Sequence, residues 1–143
     1  MDEIIKLLDS NLEYMNHEII NNTLYIEVAS TRGTVVCPYC GAQTQKVHSY
    51  YKKSFQDLPI QEHKVIITIN NRKMFCNNPK CSKKTFAESF DFLAPNAKKS
   101  KRLDNEILNI SMNVSSLAAE QIIKNRIANV GKSTICNLLK NRK

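Results

Sequence analysis

Tryptophan is absent from the 143 residues, aromatic residues make up only 7%, and there are just three glycines and four prolines. So little aromatic bulk argues against one large core and for small modules held by something besides apolar packing. No apolar run approaches the roughly 18 residues of a membrane-spanning helix. The N-terminal stretch MDEIIKLLDS is acidic where an export signal is basic. A cytoplasmic protein with no membrane partner is therefore expected. Internal repeats and low-complexity tracts are missing, and no Ser/His/Asp order suggests a hydrolase. The three acids beyond position 98, Asp104, Glu106 and Glu120, fall on short helical stretches with no strand scaffold to gather them around Mg²⁺.

What is present is positive charge, unevenly spread. Lys and Arg number 21 against 13 Asp and Glu, for a net +8. Residues 1–30 hold one base and six acids, net −5; residues 31–97 hold ten bases and four acids, net +6; residues 98–143 hold ten bases and three acids, net +7. A basic two-thirds behind an acidic head points to a polyanion partner, most often nucleic acid.

Four of the five cysteines come in two close pairs, Cys37-Pro-Tyr-Cys40 and Cys76-Asn-Asn-Pro-Lys-Cys81. In a chain without an export signal, such pairs read as two halves of a tetrahedral thiolate site. Gly41 follows the first pair where a knuckle needs positive φ, and Pro79 stiffens the second. One structural Zn²⁺ on Cys37, Cys40, Cys76 and Cys81 is the default. Rubredoxin-like iron is the alternative for all four, and redox chemistry the alternative for the first pair alone. Four protein ligands leave no open position for catalysis. Cys136, alone in a helical stretch, reads as a small buried hydrophobe.

The pattern along the chain predicts an α+β protein in three parts. Residues 1–31 read as a short helix (2–9) and a hairpin of Leu12–Ile20 and Thr23–Ala29 around Asn21-Asn22, residues that tolerate the left-handed conformation of a tight turn. Residues 32–95 read as a small β-rich zinc ribbon. Val65, Ile67 and Ile69 alternate with Ile66, Thr68 and Asn70 as a half-buried strand; Asn70-Asn71 reads as a turn, and Lys73–Phe75 leads into the second knuckle. His48 beside Tyr50 and Tyr51 reads as an exposed ribbon residue, with base stacking as its other use. His17 and His63 read as structural or solvent-facing.

Residues 96–143 read as a basic linker followed by a three-helix helix-turn-helix module. Lys98, Lys99, Lys101 and Arg102 lie in the linker with no helical or strand period, which suits phosphate contact. Leu103, Ile107, Ile110 and Val114 share one helical face. Ser115 or Ser116 caps a second helix with Ala118, Ala119, Ile122 and Ile123 inward, and residues 125–131 make a turn. A third helix, about 133–141, turns Ile135, Leu138 and Leu139 inward. Ser133, Asn137, Lys140 and Asn141 then face outward, with Lys132 and Thr134 at its start; Asn can pair bidentately with adenine. The run Gly131-Lys132-Ser133-Thr134 mimics the end of a phosphate-binding loop. Arg126 stands where its first glycine belongs, however, and no strand precedes it, so nucleotide binding is rejected.

The ordered motifs Cys37-Pro-Tyr-Cys40-Gly41, His48-Ser49-Tyr50, Asp57-Leu58-Pro59, Arg72-Lys-Met-Phe-Cys76, Cys81 with Thr85-Phe86-Ala87-Glu88, and Val130-Gly131-Lys132-Ser133-Thr134-Ile135 resemble the N-terminal part of bacterial insertion-sequence transposases of the ISL-three type. The resemblance spans roughly residues 30–143. It implies a zinc ribbon and helix-turn-helix that recognise the terminal inverted repeats of a transposable element. In such transposases a long C-terminal domain with an acidic triad performs strand transfer. The expectation here is a truncated or stand-alone DNA-binding portion that is not an enzyme. Double-stranded DNA is the expected partner, with a full-length transposase or a second copy of the chain as protein partners. Two rival readings stand beside it. One is a transcription regulator or transposition repressor using the same DNA contacts. The other is a protein-interaction adaptor docking through Tyr50, Tyr51 and Phe55.

Overall fold

The computed structural model describes residues 1–114, 116–126 and 137–139. The order is α1 (Asp2–Leu8), β1 (Leu12–Ile20), β2 (Thr23–Ser30), β3 (Val35–Val36), β4 (Gln43–Thr44), β5 (Val47–Ile60), β6 (His63–Phe75), β7 (Thr85–Ala87), α2 (Lys101–Asn113) and α3 (Ser116–Arg126). The α+β class holds, and residues 137–139 are helical.

The main sheet runs β1-β2-β6-β5, with β7 added to β6. β6 is its spine: β5 pairs along nearly all of one edge. The other edge is shared end to end by β2, parallel at Lys64–Ile69, and β7, antiparallel at Lys73–Phe75. Alternation explains the burial, since successive side chains of a strand face opposite sides. Val65, Ile67 and Ile69 are buried, as are Leu24, Ile26 and Val28 of β2 and Phe55 of β5. Ile5 of α1, Leu12 of β1 and the Phe90–Phe92–Leu93 segment complete this cluster. The acidic head thus has no core of its own: its hairpin is part of the sheet that delivers the second cysteine pair.

The turn expected at Asn70-Asn71 is not there. The hairpin turn lies at Gln61-Glu62, with φ of 47° and 68°, as at Asn21-Asn22 with 49° and 65°. Asn70 and Asn71 lie instead within β6, opposite Lys52 and Tyr51. Asn71 is buried there because its amide donates to the Tyr51 hydroxyl (2.9 Å) and the Glu88 carbonyl (3.1 Å). Buried polar groups persist where such partners exist.

Residues 96–102 are not a free linker. The Gln56 amide donates to the Lys98 carbonyl and the Ser100 amide to the Gln56 carbonyl, both at 2.9 Å, extending the β5 edge. Ser100 caps α2, its hydroxyl accepting from the Leu103 amide (3.3 Å) and donating to Asp57 (2.7 Å). Arg102 grips the same buried carboxylate with Nε (2.8 Å) and Nη2. Arg102 is therefore the clamp that docks α2 on β5. Asp57→Ala is expected to cost about 1–3 kcal/mol, because it strips both the cap and Arg102 of an acceptor. Urea denaturation monitored by helical circular dichroism checks this.

A second small cluster holds Leu103 and Ile107 of α2 with Ala119 and Ile123 of α3, and Leu138 and Leu139 pack against it. Ile122, expected inward, is exposed, and Val114, expected on the same face as Leu103, lies beyond α2 and is exposed too. Ser115, Ile135, Cys136 and most of the turn expected at 125–131 lie outside the described residues. Among the described residues no helix is long and apolar enough to cross a membrane.

Candidate metal centre

Two short hairpins carry the four cysteines. β3 and β4 pair Val35 with Thr44 and Val36 with Gln43, so the intervening loop presents Cys37 and Cys40. β6 and β7 flank Cys76 and Cys81 in the same way. Backbone bonds shape each knuckle. The Gly41 amide donates to the Cys37 carbonyl (2.9 Å) and the Cys37 amide to the Ala42 carbonyl (2.8 Å). The Cys76 amide donates to the Lys84 carbonyl (2.9 Å) and the Cys81 amide to the Asn78 carbonyl (3.0 Å). Gly41 takes φ of 79°, the left-handed value its position suggested.

The four Sγ atoms lie within 4.8 Å of one another, and Cys40 Sγ approaches Cys76 Sγ to 3.5 Å. A tetrahedron of Zn–S bonds near 2.3 Å sets S···S at about 3.8 Å, so the set fits one Zn²⁺. The thiols lie close enough to perturb one another. The backbone N–H of Ala42 brings Cys40 down to about 7. At Cys76 the Asn78 N–H pulls downward, but burial and the neighbouring Cys40, Cys37 and Cys81 sulfurs outweigh it, pushing the thiol up to about 12. Cys81 is raised as well, burial and the Cys40 and Cys37 sulfurs overcoming the Lys83 N–H. Val35, Met74 and Phe86 pack beneath the site with Cys37.

A buried ion-pair cluster sits just beyond β7. Glu88 is 3% exposed and lies under Arg72, whose Nε and Nη2 reach its two carboxylate oxygens at 2.9 Å each. Ser30 Oγ donates to the same carboxylate (2.7 Å), and Arg32 Nη1 stands 3.4 Å away. Arg72 also donates to the Arg32 carbonyl (3.0 Å), and the Arg32 guanidinium lies over the Phe90 ring. The cluster ties β2, the entry to the first knuckle, β6 and β7 together. Sequence reasoning assigned Arg72 and Glu88 no role; their presence within the motif order was the one available signal.

The remaining candidates scatter. Lys98 and Lys101 are exposed, Lys99 is half-buried, and Asn137 is exposed on its helical turn. Lys132, Ser133, Thr134, Lys140 and Asn141 lie outside the described residues. Tyr50 and Tyr51 are exposed, but Phe55 is buried against Phe92 (5.4 Å between rings), which removes it from the adaptor surface. His48 is exposed, bonded to Ser49 and edge-on to Phe75.

Two paired knuckles gathering four thiolates define a zinc ribbon. Residues 33–81 match the family model for the zinc-finger of transposase IS204/IS1001/IS1096/IS1165. Residues 33–81 are thus similar to the zinc ribbon of ISL3-type transposases. A relative, the transposase for insertion sequence element IS1001 of Bordetella parapertussis, is 33% identical over 54 residues. That alignment covers 38% of this chain and 13% of the relative. No solved structure matches.

Proposed function

We propose that the chain is a sequence-specific DNA-binding module of an insertion sequence, recognising the element's terminal inverted repeats. The observation that carries this reading is the four-thiolate ribbon of transposase type, set in a chain of net +8. Zn²⁺ does not react here; it fixes the knuckles that carry Lys80, Lys83 and Lys84 at the ribbon end. Lys98, Lys99 and Lys101 meet phosphates. The helix-turn-helix reading is supported by Leu138 and Leu139, which pack on α2 and α3 while Asn137 faces out. Lys132, Ser133, Thr134, Lys140 and Asn141 join Asn137 as base and phosphate contacts. Arg102 leaves the phosphate-contact set, being committed to Asp57. Strand transfer is not ascribed to this chain. It acts in the cytoplasm, and its protein partner is a full-length transposase or a second copy.

Selecting bound sequences from a random duplex pool tests the reading. A recurring motif related to an element's ends is expected; an unenriched pool contradicts it. Asn137→Ala should cost about 1–3 kcal/mol on the selected site and little on a scrambled one. Equal loss on both would remove this helix as the reader.

A further inference from the structure

Beside the first zinc knuckle lies a cleft of about 330 Å³, at the small end of ligand-sized cavities. Its walls are largely apolar and aromatic, with Pro38 and Tyr39 from the knuckle, Tyr51 from β5, and Phe90 and Pro95 from the segment before α2; polar groups including Asn71 and Asn96 complete the lining. Tyr39 and Tyr51 are 60% and 41% exposed, so their rings remain accessible. Lys53 lines the cleft and also the groove that continues from it past Tyr51 to Lys98. Glu88 also lines the cleft, but its carboxylate is paired with Arg72 and Arg32 and accepts from Ser30, which neutralises it. Lys83 stands over the Tyr39 ring at 5.8 Å, adding to the positive rim. An aromatic floor edged by cations suits a ligand that joins a flat π-system to an anion.

We propose that this cleft holds one unpaired nucleotide of the bound DNA, its base against Tyr39 and Tyr51 and its phosphate at Lys53 and Lys98. The proposal rests on the DNA-binding reading and adds that the protein distinguishes unpaired from paired ends. Base–aromatic stacking tolerates every base, so the cleft supplies preference for DNA shape, whereas Asn137 supplies preference for sequence. The Tyr51 hydroxyl accepts from the Asn71 amide, which holds the ring in place.

The test uses the zinc-loaded full chain and two duplexes of the same selected sequence. One is blunt; the other carries a single unpaired 2-aminopurine nucleotide at its end. The overhang duplex should bind about tenfold more tightly, with 2-aminopurine fluorescence quenched on binding. Tyr51→Leu and Lys53→Gln should bring the ratio close to one while blunt-duplex affinity is kept. Tyr51→Phe loses the same hydroxyl as Tyr51→Leu but keeps a ring packed in the cleft wall, so it should retain most of the ratio and separates loss of the ring from loss of the Asn71 bond. Equal binding of both duplexes by the wild type overturns the cleft proposal and leaves the DNA-binding reading intact. So does an acidic, aromatic peptide that fills the cleft and leaves both duplexes bound. Failure to bind either duplex overturns the DNA-binding reading, and the cleft proposal with it.

Discussion

Cys76→Ser is expected to lower bound zinc from one equivalent per chain to none and to melt the knuckle end while the sheet survives. The reason is the division of the core. Val35, Met74, Phe86 and Cys37 form a cluster of four buried residues beside the thiol site, too small to hold β3, β4 and β7 by itself. Metal binding supplies folding free energy on the order of 10–16 kcal/mol in zinc-finger peptides, so its loss is decisive locally. The larger cluster around Ile26, Phe55, Ile67 and Ile69 contains no ligand. Amide hydrogen exchange on the zinc-loaded and substituted proteins separates the two ends. Protection should vanish at Cys37 and Cys81 and persist at Ile67 and Ile69. Uniform loss across the sheet would show that the two clusters fold as one, and unchanged zinc content would remove Cys76 from the ligand set.

Glu88→Ala is expected to destabilise the fold by about 3–5 kcal/mol, since it leaves the Arg72 guanidinium, mostly buried, without its counter-charge. Ser30 and Arg32 lose an acceptor in the same step. Glu88→Gln keeps hydrogen-bonding capacity and should cost less, about 1–3 kcal/mol. Urea denaturation of the three proteins gives both values. A loss below about 1 kcal/mol for Glu88→Ala would mean that the cluster positions the knuckle without stabilising it.

The metal centre was legible in the sequence because its determinants are local: two cysteine pairs, a glycine after one and a proline within the other. The first hairpin was legible for the same reason, since Asn21-Asn22 tolerates the left-handed angles of a tight turn. The second hairpin was not, because Gln61 and Glu62 adopt left-handed angles with no composition that announces a turn. Asn70-Asn71 mimicked that turn, and the Tyr51 hydroxyl and Glu88 carbonyl that hold Asn71 in a strand are remote in sequence. Arg102 was masked in another way. Charge density around it suggested a solvated linker, whereas Asp57, 45 positions earlier, makes it a clamp. The pairing of Arg72 with Glu88 left no local trace for the same reason.

Fluorescence anisotropy of the zinc-loaded chain on a duplex, across a range of salt, asks whether the zinc-held frame presents a DNA-binding surface. The logarithm of the affinity should fall linearly with the logarithm of salt concentration. Replacing Lys98, Lys99 and Lys101 together by Ala should reduce that slope by about 0.9 for each phosphate no longer neutralised. Weak binding that ignores salt, or a slope that the triple substitution leaves unchanged, would show that these lysines do not meet DNA phosphates.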